Sequence, residues 1–310
     1  MFELIKNKTK IDFVGLFPIT STLSTLAVLA SIILIFTSLK YGVDFSGGAE
    51  IQVKFDKSVN VADLRSTVSA AGIESASIQS IGDVSENEYL LRIPAKEENL
   101  NELQAMLVKA LTSKFSDSGV QIRKVDLVGP KAGSQLRLSG FLALAWALIS
   151  ITIYVGLRFH FKFAPGAVLS LFHDVSIICG IYAIFGIEFT LQTVAALLTI
   201  IGYSINDTVI VYDRVRENQE MYPGNDLKTH INNATNETLS RTILTSGVTF
   251  ISSLAMLFFG GVAIQDFFLA VSIGIVTGSY STIYVATPIT LILDRWSERK
   301  MATQNAGLAK

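Results

Sequence analysis

Six mostly apolar stretches, each near the length of about 20 residues that a helix needs to cross a bilayer core, constrain this chain more than any other feature. They run near Phe17 to Leu39, Leu138 to Leu157, Phe163 to Phe185, Leu191 to Tyr212, Thr242 to Val262 and Phe267 to Leu293. Backbone polar groups in hydrocarbon must be satisfied within the protein, so each run is read as a helix. The 310 residues are 50% hydrophobic and 16% charged, where an ordinary soluble domain is about a quarter charged. The first run follows Lys6, Lys8 and Lys10, as in a signal peptide. It exceeds the usual apolar length of roughly 7–15 residues and shows no small-x-small cleavage site before Tyr41, so it reads as a retained helix.

Several function classes fall away. A net charge of -1 gives no basic field for nucleic acid. The single cysteine, Cys179, allows neither an intrachain disulfide nor a Cys-rich zinc site and reads as a small packing residue. The three histidines do not form an H-E-x-x-H pair, and no G-x-x-x-x-G-K-[ST] loop is present to hydrolyse ATP. The expectation is a chain that is not an enzyme, with no cofactor, no metal and no nucleic-acid partner.

Basic residues in the short loops set the orientation. Lys6, Lys8 and Lys10 precede the first run; Arg158 and Lys162 follow the second; Arg214, Arg216, Lys228 and Arg241 lie between the fourth and fifth; Arg295, Arg299 and Lys300 follow the sixth. The opposite short loops carry only Glu188 and Asp266. Both termini are therefore expected in the cytoplasm and Tyr41 to Lys131 outside. That outer stretch holds ten Lys and Arg against thirteen Asp and Glu.

The outer stretch reads as a small α+β domain. Ala49 to Phe55 alternates as a half-buried strand. Val61 to Ala71 has helical spacing, with Asn60 as N-cap and Gly72 as its stop. Ser75 to Ile81 and Glu88 to Ile93 are strands across a polar Gly82-to-Asn87 turn. Glu97 to Phe115 is a second amphipathic helix, and Val120 to Val128 a last strand. The order β-α-β-β-α-β is that of the ferredoxin-like split unit. The expected segments are an N-terminal piece 1–16, helix 17–40, ferredoxin-like domain 41–135, helices two to six in 136–294, and a tail 295–310. The polar Glu217-to-Asn236 stretch reads as a solvated connector with a short surface helix, and Gly260-Gly261 as the end of the fifth span.

Ionisable groups inside a bilayer are costly and are candidates for function. Asp207 lies seven residues before Arg214, about 10 Å along a helix. Ser204, Asn206 and Thr208 are expected to surround it with hydrogen-bonding groups, and Tyr203 is one turn away on the same face. Asp207 is either neutralised by a static interhelical bond or takes up and releases a proton. Arg241, opening the fifth span, is either a snorkelling anchor or the counter-ion of Asp207. Thr242, Thr245, Ser246 and Thr249 form a polar stripe suited to a wet path. His173 and Asp174, deep in the third span, are a structural interhelix pair or part of an ion route. Gly47 and Gly48, where the first span meets the outer domain, make an ordinary turn or a hinge. Gly274 and Gly278 have helix-packing spacing.

Gly42-Val-Asp-Phe-Ser-Gly-Gly48, Gly202-Tyr-Ser-Ile-Asn-Asp-Thr208, Asp213-Arg-Val-Arg-Glu-Asn218 and Arg241-Thr-Ile-Leu-Thr-Ser246 together resemble the SecD/SecF family of bacterial protein-export membrane subunits, on its SecF side. The resemblance spans nearly the whole chain. It implies a fold class: an α-helical polytopic membrane protein of six transmembrane helices, an RND-like half, with a ferredoxin-like periplasmic domain between helices one and two. It implies the bacterial inner membrane as location and SecD, the SecYEG channel, YajC, YidC, a translocating preprotein and membrane lipid as partners. It also implies use of a proton or sodium gradient, with Asp207, Asn206 and Arg241 as the ion relay. A passive scaffold of the translocon, or an exporter of a small molecule or lipid, is the rival reading.

Overall fold

The structure, a computed structural model, describes residues 9–73, 76–81, 87–93, 100–159 and 161–308. Lys6, Lys8, Ser75, Glu97 and the Gly82-to-Asn87 turn short of Asn87 itself lie outside the described residues. Among the described residues, six helices are long and apolar enough to cross a membrane. The chain runs α1 (Phe17–Ser38), β1 (Lys40–Tyr41), a short α2 (Val43–Ser46), β2 (Gly48–Phe55), α3 (Val61–Ala70), β3 (Ser77–Ile81), β4 (Glu88–Ile93), α4 (Leu100–Lys114) and β5 (Val120–Val128). It continues with α5 (Pro130–Arg158), α6 (Ala164–Phe185), β6 (Glu188–Phe189), α7 (Leu191–Met221), α8 (Leu227–Phe259), α9 (Val262–Ser281), a π-helical turn (Thr282–Ala286) and α10 (Thr287–Leu308).

Between α2 and α5 the sheet order is β3-β4-β2-β5, with every pairing antiparallel, as a ferredoxin-like split unit requires. Alternation along β2 turns Ile51, Val53 and Phe55 inward against Leu64 and Val68 of α3 and Leu107 and Leu111 of α4. The Asn60 side chain accepts from the Ala62 N–H, capping α3 as its residue type suggests. Gly72, at φ +85°, closes that helix while Ile73 N–H reaches back to the Val68 carbonyl, a Schellman ending.

Lipid tails are as apolar as Leu, so membrane helices associate through close packing of small residues and hydrogen bonds. A Cβ on Gly278 would press on Ser204 at 3.0 Å, and one on Gly274 would overlap the Ile200 side chain. The two glycines thus bring α9 flush against α7. Most of the buried polar residues lie on α6, α7 and α8, with others on α9, the π-helical turn and α10, whereas α1 buries only Phe17, Ser24 and Ser31 and stands at the periphery.

Helices α7 and α8 are longer than their apolar runs. The Glu217-to-Asn236 stretch is not a loop: α7 continues to Met221 and α8 starts at Leu227, with Asp226 accepting from the Thr229 N–H at 3.0 Å as the N-cap. Polar residues there serve tertiary contacts. Glu237 receives Arg214 Nε at 2.5 Å and Asn218 Nδ2 at 3.1 Å, and Asn232 and Asn236 accept from the backbone of Phe13 and Ile11. Helix α5 likewise begins two turns before its apolar run, at Pro130, whose fixed φ suits a first helical position. As expected, α8 stops at Gly260-Gly261. The sixth span contains a π-helical turn that periodicity did not suggest. Pro288, just after it, lacks an N–H and would crowd the carbonyl four residues back, a conflict that the widened turn relieves.

The α+β domain joins the bundle through a narrow neck. Its incoming strand β2 and outgoing strand β5 pair at Gly48 and Val128, so both covalent connections run side by side. Gly47 sits at φ +77°, and a Cβ there would meet the Pro130 backbone at 2.8 Å. β1 pairs in parallel with β6, and Asp44 accepts from the Leu191 N–H at the start of α7 at 3.0 Å. Away from the neck, Arg92 on β4 bridges Glu50 at 2.8 Å and Glu188 at 3.2 Å, linking the sheet to the α6–α7 connection.

Burial pushes the Glu188 carboxyl above its ordinary range by more than the Arg92 guanidinium pulls it down. A raised value in the folded state means that stability contributed through this group is fully present below the ordinary carboxyl range and is lost as pH rises through the raised value. Glu188→Gln is therefore expected to keep the domain docked at neutral pH. Arg92→Ala, which leaves two part-buried carboxylates without their cation, should cost about 1–3 kcal/mol. Thermal unfolding of the two variants checks this, and a larger loss in Glu188→Gln than in Arg92→Ala would contradict it.

A candidate ion-coupling site in the helix bundle

Asp207 is 1% exposed and sits midway along α7, in a face that also buries Ser204 and Thr208. Its hydrogen-bond partner is Ser246 on α8, whose hydroxyl donates to Oδ2 at 3.2 Å. Ser246 in turn accepts from Ser279 of α9 at 2.9 Å and from the Tyr203 hydroxyl at 3.4 Å. A carboxyl group and three hydroxyls thus meet where α7, α8 and α9 converge.

Arg241 lies five residues before Ser246 on α8, about 8 Å along the axis. Asp207 takes its hydrogen bond from Ser246 and not from the Arg241 guanidinium. Arg241 is exposed and lines a cleft of about 450 Å³ with Arg158, Asp213, Glu217 and Glu237. Asn206 is exposed on α7, because its neighbour in sequence points about 100° away around a helix of 3.6 residues per turn. The arrangement therefore brings Asp207 together with Ser246, leaves Arg241 at a short remove and turns Asn206 outward. The hydroxyls expected to surround Asp207 divide: Thr208 pairs with Thr282 at 3.0 Å, and Ser204 serves another carboxyl. Of the α8 stripe, Thr242 and Ser246 are buried, while Thr245 and Thr249 bond to carbonyls of their own helix.

That other carboxyl is Asp174 on α6. It is 1% exposed and accepts from Ser204 at 2.7 Å and Ser281 at 2.9 Å through Oδ2. Its Oδ1 lies 3.1 Å from His173 Nδ1. The His173 ring stacks on Tyr280, whose hydroxyl reaches Ser24 of α1 at 2.9 Å. Ser281 and Ser279 were outside the sequence expectations; their sole signal is a serine-rich end to an apolar run. Cys179 is buried and free. Gly47 and Gly48 are buried in the neck, at the closest approach of the domain to α5.

Comparison with known proteins shows the family. The family model for the SecD/SecF protein export membrane protein, C-terminal, matches residues 107–296, and that for the SecD/SecF GG motif matches residues 32–59, which includes Gly47 and Gly48. The protein translocase subunit SecF of Rickettsia prowazekii is 37% identical over 98% of both chains. That of Magnetococcus marinus is 39% identical over 98% of both. The crystal structure of SecDF, a translocon-associated membrane protein, from Thermus thermophilus superposes with a TM-score of 0.83 at 32% identity. A SecDF structure in a super-membrane-facing form gives 0.70 at 32%. The chain spans about two fifths of those solved chains: 94% of this chain against 40% of the first, and 99% against 41% of the second. With six apolar helices, two matching family models and full-length relatives, the chain is a multi-pass membrane protein that belongs to the SecD/SecF protein-export family.

Proposed function

We propose that this chain pairs with SecD beside the SecYEG channel and uses a proton or sodium gradient to draw preproteins out of the cell. In this reading the chain is an inner-membrane protein with cytoplasmic termini, and the α+β domain is periplasmic. Asp207 is the ion-binding group, Arg241 its counter-ion, and Gly47-Gly48 the hinge of the neck. YajC and YidC are further partners of the assembly. The observation that carries the proposal is a carboxyl almost fully buried in a membrane bundle with one hydroxyl donor, Ser246, and a guanidinium near but unpaired. An intramembrane carboxylate so sparsely partnered is costly, and groups of this kind mark ion pathways.

Binding an ion at Asp207 cancels its charge and releases its pull on Arg241. Loss of the ion restores that pull, and the bundle repacks. Moving one charge through 100 mV yields about 2.3 kcal/mol, so several ions drive a substantial stroke.

Preprotein export into sealed vesicles, with the gradient collapsed selectively by proton or sodium ionophores, tests this. The ionophore that stops the gradient-dependent part of export identifies the ion. Export indifferent to both would favour a passive scaffold, and transport of a small solute or lipid in place of preprotein would favour the exporter reading.

A further inference from the structure

Asp207 is not the sole carboxyl buried in the bundle, and the mechanism above does not use the other. Asp174 receives two hydroxyl donors from two different helices, α7 and α9, and faces an imidazole on its own helix. His173 also lines a mostly apolar groove of about 370 Å³ between α1, α6 and α10, in which Ser21, Ser24, Thr25 and Tyr284 supply the other polar groups. His173 thus stands between a groove at the bundle surface and a buried carboxyl. The ionisable groups facing the pair are Tyr280 and Tyr284, from the end of α9 and the π-helical turn; α1 presents Ser24, α7 presents Ser204 with Asp207 one turn on, and α10 presents Pro288 and Ile289.

The two carboxyls share one anchor. Within four residues of the α9 terminus, Ser279 reaches Asp207 through Ser246, Ser281 bonds Asp174, and Thr282 bonds Thr208 of α7. The π-helical turn starts at Thr282, and such turns cluster at functional sites. A rotation of this segment moves Ser281, a donor to Asp174, together with Ser279, the partner of the Ser246 hydroxyl that donates to Asp207.

We infer that His173 and Asp174 form a second proton-binding site, reached from the groove between α1, α6 and α10 and mechanically joined to Asp207 through the end of α9. One proton binds the pair, whose His173 Nδ1 and Asp174 Oδ1 lie 3.1 Å apart, and on release it passes to water admitted by the groove. The use of this proton in export rests on the Asp207 reading above; the binding of the proton does not.

The test exploits the presence of only three histidines in the chain. The chain is labelled with ¹⁵N-histidine, reconstituted with unlabelled SecD in lipid bilayers, and followed by NMR from pH 5 to 9, with His173→Gln assigning its signal. The expected result is a His173 signal that titrates, with its midpoint lowered by about one pH unit in Asp174→Asn because a neighbouring negative charge is removed. A wild-type His173 signal that keeps one protonation state throughout, or a midpoint that Asp174→Asn leaves in place, would overturn the inference. Should Asp174→Asn fail to assemble, the wild-type titration alone decides. Normal gradient-driven export by Asp207→Asn alongside a titrating His173 would remove the Asp207 reading and leave this site standing.

Discussion

Asp207→Asn is expected to reduce export to the level seen when the ion gradient is collapsed, while the chain still co-purifies with SecD. Asn keeps the shape of the side chain and an oxygen to accept from Ser246, so the contact at 3.2 Å survives. What disappears is a charge that can be cancelled and restored. Each charge lost from the cycle removes about 2.3 kcal/mol per 100 mV of driving force, and without the switch no other group in this face of α7 supplies it. A scaffold with no ion cycle would export normally with the same substitution. A variant that lost assembly as well as export would show that the carboxyl is structural.

The second large effect is at the neck. Gly47→Ala forces a side chain into a positive-φ conformation, which costs roughly 1–3 kcal/mol. It also drives a Cβ to 2.8 Å from the Pro130 Cα, a backbone atom that cannot swing aside. Gly72 offers a matched control: its φ is +85°, but nothing lies within 4 Å of a Cβ there. Gly72→Ala should lose only the conformational part. Gly47→Ala should lose more stability, shift the domain relative to α5 and depress export. Equal melting temperatures and equal export for the two variants would contradict the view that the closeness of strand β2 to the start of α5 matters.

Much of the architecture was legible because it depends on local pattern. Runs of apolar residues locate six helices, and alternation in Ala49 to Phe55 with helical spacing in Val61 to Ala71 yields the ferredoxin-like order. Less legible were features set by partners distant in sequence. The polar ends of α7 and α8 looked like a solvated loop because their contacts, Glu237 with Arg214 and Asn232 with Phe13, join residues far apart or on different helices. Asp207 stood out as an ionisable group in an apolar run, but its partner did not: Arg241 and Ser246 are both plausible until the rotation of α8 is known. Asn206 beside it faces outward for the same reason. The bridge from Arg92 to Glu188 spans the domain and the α6–α7 connection, and no short-range signal announces it. The π-helical turn left one trace, Pro288 inside an otherwise continuous helix.

The most direct test of the central claim, that charging and discharging Asp207 moves the bundle between two arrangements and carries the domain with it, is a distance. Spin labels at Lys57→Cys on the domain and Phe185→Cys at the end of α6, in a Cys179→Ser background with SecD present, report the separation by pulsed electron resonance with and without an ion gradient. The wild-type chain should give two separations whose populations change with the gradient, and Asp207→Asn a single separation that does not respond. Identical distributions for the two proteins under both conditions would contradict the account.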